Sequence, residues 1–194
     1  MRAIISIPVL YHYKTAILKR SFLLAAALLI FSIGSGAQDT AQITVKGRRN
    51  GATQQTRPYV IMISIDGFRY DYPEKYNAAQ LLQLSGDGVR ATAMQPSFPS
   101  LTFPNHYALA TGLYPAHSGL VDNFFYDRKR NEIYKVSNRK AVEDGTWYNG
   151  QPLWVLAENQ QMVSASYFWV GSESAVQNVR PTYDFKYQEK TGID

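Results

Sequence analysis

The sequence predicts an α/β fold, and three observations carry that prediction. Residues 59–65 (YVIMISI) form a continuous apolar run rich in β-branched side chains, the pattern of a strand buried on both faces. Residues 164–170 (SASYFWV) form a second such run. Between them, apolar residues recur at helical spacing, so strands and helices alternate along the chain.

Taken in order, residues 1–37 read as an export signal outside the fold. Lys14, Lys19 and Arg20 flank the apolar stretch 21–33, which is short against the roughly 20 residues of a membrane span. Ser35-Gly36-Ala37 has the small-residue pattern of a cleavage site, and an uncleaved N-terminal anchor is the alternative. Residues 38–57 are polar and basic without periodicity, and read as a flexible lead-in. The folded region begins near Pro58 and runs to residue 194. The strand at 59–65 stops at Asp66-Gly67. Residues 75–86 predict a helix, with Gly86 and Gly88 near its end. Residues 89–94 predict a short strand, and three prolines make 95–104 a loop. A helix follows at 105–111, ended by Gly112. Residues 124–136 predict a hairpin with its turn at 128–131. A helix at 152–160 leads into the strand at 164–170, and Trp154 and Trp169 lie on faces predicted to be buried.

Composition narrows the function. The 194 residues are 45% hydrophobic, too apolar for a disordered chain, and their number suits one domain. With no cysteine, disulfide scaffolds, thiolate zinc sites and cysteine nucleophiles are excluded. The formal charge of +5 belongs to the N-terminal segments, because residues 58–194 carry 12 basic and 14 acidic side chains. No nucleic-acid-binding surface is therefore evident on the body of the protein. A membrane partner enters only through the N-terminal signal or anchor.

Three positions suggest chemistry. Asp66 directly follows a predicted buried strand, where ligands of open α/β sheets bind, so it suits a metal ligand, although taken alone an Asp capping a turn is the commoner reading. Thr102 sits in a proline-bracketed loop leading into a helix, where free N–H groups favour phosphate. Its hydroxyl can be a nucleophile or merely an N-cap. Asn123 can donate to a developing oxyanion or simply form an Asp-Asn turn.

The segments Ile63-Ser64-Ile65-Asp66-Gly67-Phe68-Arg69, Thr102-Phe103-Pro104-Asn105-His106-Tyr107, Thr111-Gly112-Leu113-Tyr114-Pro115 and Val121-Asp122-Asn123 occur in that order. Together they resemble the type I phosphodiesterase/nucleotide pyrophosphatase family of the alkaline phosphatase superfamily. Phe168–Glu173 resembles a later strand-turn of that family. The resemblance implies an alkaline phosphatase-like mixed sheet flanked by helices, present as its N-terminal half. It implies a secreted, periplasmic or extracellular, zinc-dependent hydrolase of phosphodiester or pyrophosphate bonds, acting on nucleotide-type small molecules through a covalent threonine intermediate. Asp66 and Thr102 would be metal ligands, Thr102 the nucleophile and Asn123 the phosphate-oxygen donor. Phe103, Val136 and Tyr187 would line the base slot. Two zinc ions are implied, with the remaining ligands beyond Asp194. Residues 115–119 (PAHSG) depart from the family's usual Pro-Glu-Ser-His-Gly. His106 and His117 are not among the family's metal ligands and read as ordinary helix or turn residues. The alternatives are another hydrolase of the superfamily, acting on phosphonate, lipid phosphodiester or phosphomonoester substrates, and a non-catalytic truncated product.

Overall fold

The computed structural model describes residues 42–187. In chain order the elements are β1 (Gln42–Thr44), α1 (Tyr72–Lys75), α2 (Ala79–Asp87), α3 (Thr102–Thr111), α4 (Pro115–Ser118), β2 (Phe124–Asp127) and β3 (Glu132–Lys135). They continue with α5 (Arg139–Val142), a 3-10 turn at Gly145–Trp147, α6 (Leu153–Asn159), β4 (Ala165–Tyr167) and β5 (Tyr183–Phe185). One mixed sheet has the order β1-β5-β4, with β1 antiparallel and β4 parallel to β5. The hairpin β2-β3 forms a second sheet, its turn at 128–131 as the sequence predicts. The α/β class holds.

The core is aromatic. Phe125 and Tyr134 face each other across the hairpin, their rings stacked 5.2 Å apart. Trp147 meets both edge-on, and Tyr107 of α3 packs on Tyr148 and Trp154. Leu120, Val155 and Val176 fill the spaces between them, fully buried. Aromatic cores draw stability from large buried areas, roughly 150–250 Å² per ring, and from edge-to-face contacts. The buried hydroxyls are paired: Tyr134 with Tyr148, and Tyr148 in turn with the carbonyl of Val142.

Several expected elements differ. Residues 59–65 are not a buried strand. No backbone hydrogen bond to them occurs among the described residues, and Ile61 and Ile63 are 84% and 78% exposed. A strand exists only against a partner backbone, and apolar composition alone supplies none. Residues 89–94 form no strand for the same reason, with Val89 and Met94 exposed. The single helix expected at 75–86 is two, because Asn77 takes a left-handed conformation (φ 48°) that asparagine tolerates. The helix expected at 105–111 begins earlier, at Thr102. Pro104 falls in its first turn, where the missing N–H has no helical partner to lose.

Residues 42–57, expected to be a flexible lead-in, are docked. β1 pairs with β5, Asn50 Oδ1 accepts the Val163 N–H (2.6 Å), Gly51 N–H donates to Gln161 (2.8 Å), and Arg48 meets Glu158 (3.2 Å). These ties are polar, so apolar periodicity does not reveal them. The last strand is shorter than 164–170, because Phe168 turns out of it with φ 60°. It is an edge strand with Tyr167 exposed, not one buried on both faces. The signal reading of 1–37 lies outside the described residues, among which no helix is long and apolar enough to cross a membrane.

Candidate active site

The start of α3 gathers the residues singled out by the sequence. Leu101 enters the helix extended (φ −106°, ψ 157°) and offers no side-chain cap, while Gly112 closes it in the left-handed region (φ 69°). Asn123 supplies the cap from a distance: its Oδ1 accepts the Phe103 N–H at 3.0 Å. Since that N–H can only donate, the amide oxygen must face it, and Asn123 Nδ2 stays available as a donor. Thr102 Oγ donates to Asp66 Oδ2 at 3.0 Å. A carboxylate, a hydroxyl and an amide donor thus converge on a helix N-terminus, whose partial positive charge favours anions. The Asp66 side chain is 63% exposed, so its charge is accessible to solvent and ligand.

Around this point the structure also places the substrate-contact candidates. Phe103 packs partly buried against Tyr134 at 6.4 Å. Burial pushes the Tyr134 hydroxyl up to about 12, so at neutral pH it is an uncharged floor beneath Phe103. Val136 lies beside Asn123, whose carbonyl accepts the Val136 N–H at 3.1 Å. Tyr187 is not brought into this group among the described contacts. It is exposed and meets Phe168 edge-on at 5.8 Å.

Sequence reasoning passed over His106. Its Nδ1 is 2.8 Å from Ser64 Oγ and its Nε2 is 3.8 Å from Asp66 Oδ1, so it joins the site rather than being an ordinary helix residue. The signal was present: Thr102 and His106 are four residues apart, hence on one helix face. His117 is exposed on α4, away from these contacts.

The donor set can be tested against a metal. Among the described residues, no three His, Cys, Asp or Glu side chains converge to hold an ion. Catalytic zinc takes three protein ligands and keeps one open position. Asp66 and Thr102 supply two oxygen donors, which fit part of one such shell and not the whole.

Comparison with known proteins identifies the family. The sequence pattern of the type I phosphodiesterase/nucleotide pyrophosphatase family matches residues 60–193. An uncharacterized pyrophosphatase/phosphodiesterase of Schizosaccharomyces pombe is 41% identical over 140 residues, covering 72% of this chain and 29% of the relative. Mouse ectonucleotide pyrophosphatase/phosphodiesterase family member 1 is 36% identical over 126 residues, 64% of this chain and 14% of its own length. The solved murine ectonucleotide pyrophosphatase/phosphodiesterase 5 superposes with a TM-score of 0.62 at 28% identity, covering 66% of this chain and 35% of that one. An inactive variant of that murine protein was solved with AMP. The chain thus spans about a third or less of the length of these relatives. On a match that runs through every element from the Asp66 turn to β5, this chain belongs to the type I phosphodiesterase/nucleotide pyrophosphatase family.

Proposed function

We propose that this chain contributes the nucleophile half of a zinc-dependent hydrolase that cleaves phosphodiester or pyrophosphate bonds in nucleotides. The observation that carries the reading is the 3.0 Å contact between Thr102 Oγ and Asp66 Oδ2 at the start of α3. Asp66 and Thr102 would hold one zinc, with further donors from outside the described residues. When bound, zinc supplies Lewis-acid stabilisation of negative charge on oxygen.

The remaining roles belong to the chain. Thr102 Oγ gives up its proton to water and attacks phosphorus, the bond to the leaving oxygen breaks and that oxygen leaves as an anion that water can protonate, and the phosphoryl group is left as an ester on Thr102. The hydroxyl proton already points at Asp66 Oδ2, which orients the lone pair toward the substrate. Asn123 Nδ2 donates to a non-bridging oxygen, held in place because Phe103 N–H occupies Oδ1. The positive end of α3 faces the same charge. Water then cleaves the threonine ester. Phe103 and Val136 form an apolar wall for the nucleobase. The AMP complex of the murine relative favours nucleotides as the substrate class. Residues 1–37 direct export to a periplasmic or extracellular location, with cleavage after Ala37. N-terminal sequencing of the exported protein should start at Gln38, and a start at Met1 in a membrane fraction would instead indicate an anchor.

The test is made on the full-length protein with an aryl phosphodiester. Thr102→Ala should abolish turnover and trapping of a covalent phosphoryl-protein, whereas Thr102→Ser should retain part of both. Asn123→Ala should lower kcat roughly 100- to 1,000-fold, the cost of one oxyanion donor. Turnover by Thr102→Ala near the wild-type rate would refute the mechanism.

A further inference from the structure

The geometry points to His106 as a positioning residue that orients the Asp66 carboxylate so that Oδ2 faces the Thr102 hydroxyl. This rests on the reading of Asp66 and Thr102 given above. Asp66 stands at the end of a stretch, 59–66, to which no backbone hydrogen bond is made among the described residues. Asp66 and Gly67 form a turn, and two side-chain contacts tie this segment to α3: Ser64 with His106 Nδ1 at 2.8 Å, and Asp66 with Thr102 at 3.0 Å. His106 lies on the same face of α3 as Thr102, one turn on.

The imidazole is itself well held. Its side chain is only 16% exposed, against 63% for Asp66. The Trp169 ring stands edge-on to it at 6.2 Å, and Trp169 Nε1–H donates to the His106 carbonyl at 3.0 Å. A largely buried ring thus faces an exposed carboxylate. An ionised carboxylate only accepts, so the favourable tautomer carries its proton on Nε2, 3.8 Å from Asp66 Oδ1. Nδ1 is then an acceptor, and the Ser64 hydroxyl donates to it. The distance is that of an electrostatic contact rather than a hydrogen bond. Asp66 Oδ2 then accepts from Thr102, and Oδ1 faces His106 Nε2.

Two measurements test this. In the 194-residue chain labelled with 15N-histidine, neutral His106 should show the Nε2–H tautomer, and Ser64→Ala should weaken that preference. A dominant Nδ1–H tautomer in the unmutated chain would overturn the assignment. In the full-length protein with an aryl phosphodiester, His106→Ala should lower kcat roughly 10- to 100-fold with KM little changed, the usual cost of losing a group that orients a metal-site ligand. His106→Gln should recover most of that loss, because its amide can accept from Ser64 and donate toward Asp66. Equal loss in both variants, no loss in either, or a change confined to KM would overturn the proposal. If Thr102→Ala stays active, the functional reading fails alone, since the tautomer measurement needs no turnover.

Discussion

Residues 58–101 and 102–187 have similar apolar character and opposite fates. In the second stretch, Tyr107, Leu120, Tyr134, Val155 and Val176 are fully buried. In the first, Tyr59, Val60 and Ile61 are 96%, 88% and 84% exposed. The difference is not hydrophobicity but whether a facing surface exists. Within 102–187, the hairpin, α3 and α6 each present an apolar face to the others, so burial is mutual. The first stretch is joined to α3 through polar side chains: Ser64 to His106, Asp66 to Thr102, and Ser97 and Pro99 to Asn105. Of the candidate site, Asp66 thus sits on the weakly packed side of the seam. Thr102, the proposed nucleophile, sits on the well-packed side.

The largest expected effect sharpens this contrast. Tyr134→Ala should destabilise the chain by about 3–5 kcal/mol, the cost of truncating a fully buried aromatic, whereas Ile63→Ala should change stability by less than about 0.5 kcal/mol. Urea denaturation of the two variants decides it, and equal losses would mean that 59–65 is as well packed as the hairpin.

A smaller effect concerns Asp184, buried in β5 with Oδ1 3.2 Å from Ser172 Oγ and Oδ2 without a partner. Burial pushes its carboxyl up to about 6, opposed by the Ser172 hydrogen bond and reinforced by Glu173 nearby. Because the folded value lies above the unfolded one of about 3.9, this stability is full below that pH and is lost as pH rises through about 6. Asp184→Asn should therefore flatten the loss between these pH values, worth on the order of 2–3 kcal/mol at neutral pH. Melting curves across that range would show it, and an unchanged slope would contradict it.

The seam itself offers the smallest effect. Asn105 Oδ1 accepts from Ser97 N–H at 2.9 Å, and its Nδ2 donates to Pro99 at 2.8 Å. Asn105→Ala should cost about 1–2 kcal/mol and speed amide exchange at Ser97 while leaving the α3 amides protected. Uniform loss of protection across α3 would show that the seam and the helix open together.

How much was legible follows the same line. The hairpin was readable because Asp127, Asn131 and the alternation around Phe125 and Tyr134 are local signals. Asp127 Oδ1 indeed accepts the Lys129 and Arg130 N–H groups in the turn. Thr102, Asp66 and Asn123 were readable as residue types at conspicuous places, but their convergence was not. Phe103 N–H reaches Asn123 across 20 positions, and Asp66 reaches Thr102 across 36. The docking of 42–57 was hidden, because β1 and Asn50 are held by backbone groups and buried polar atoms that leave no apolar rhythm.

By itself the sequence determined the α/β class, the hairpin, the α6 helix and the identity of the family. Each of these is written in local periodicity, turn chemistry or contiguous motifs. Only the tertiary structure decided which apolar runs are buried, and that Asn123 caps α3 while His106 faces Asp66. Burial and long-range polar contacts depend on what stands opposite a residue, and nothing within a few positions of it encodes that.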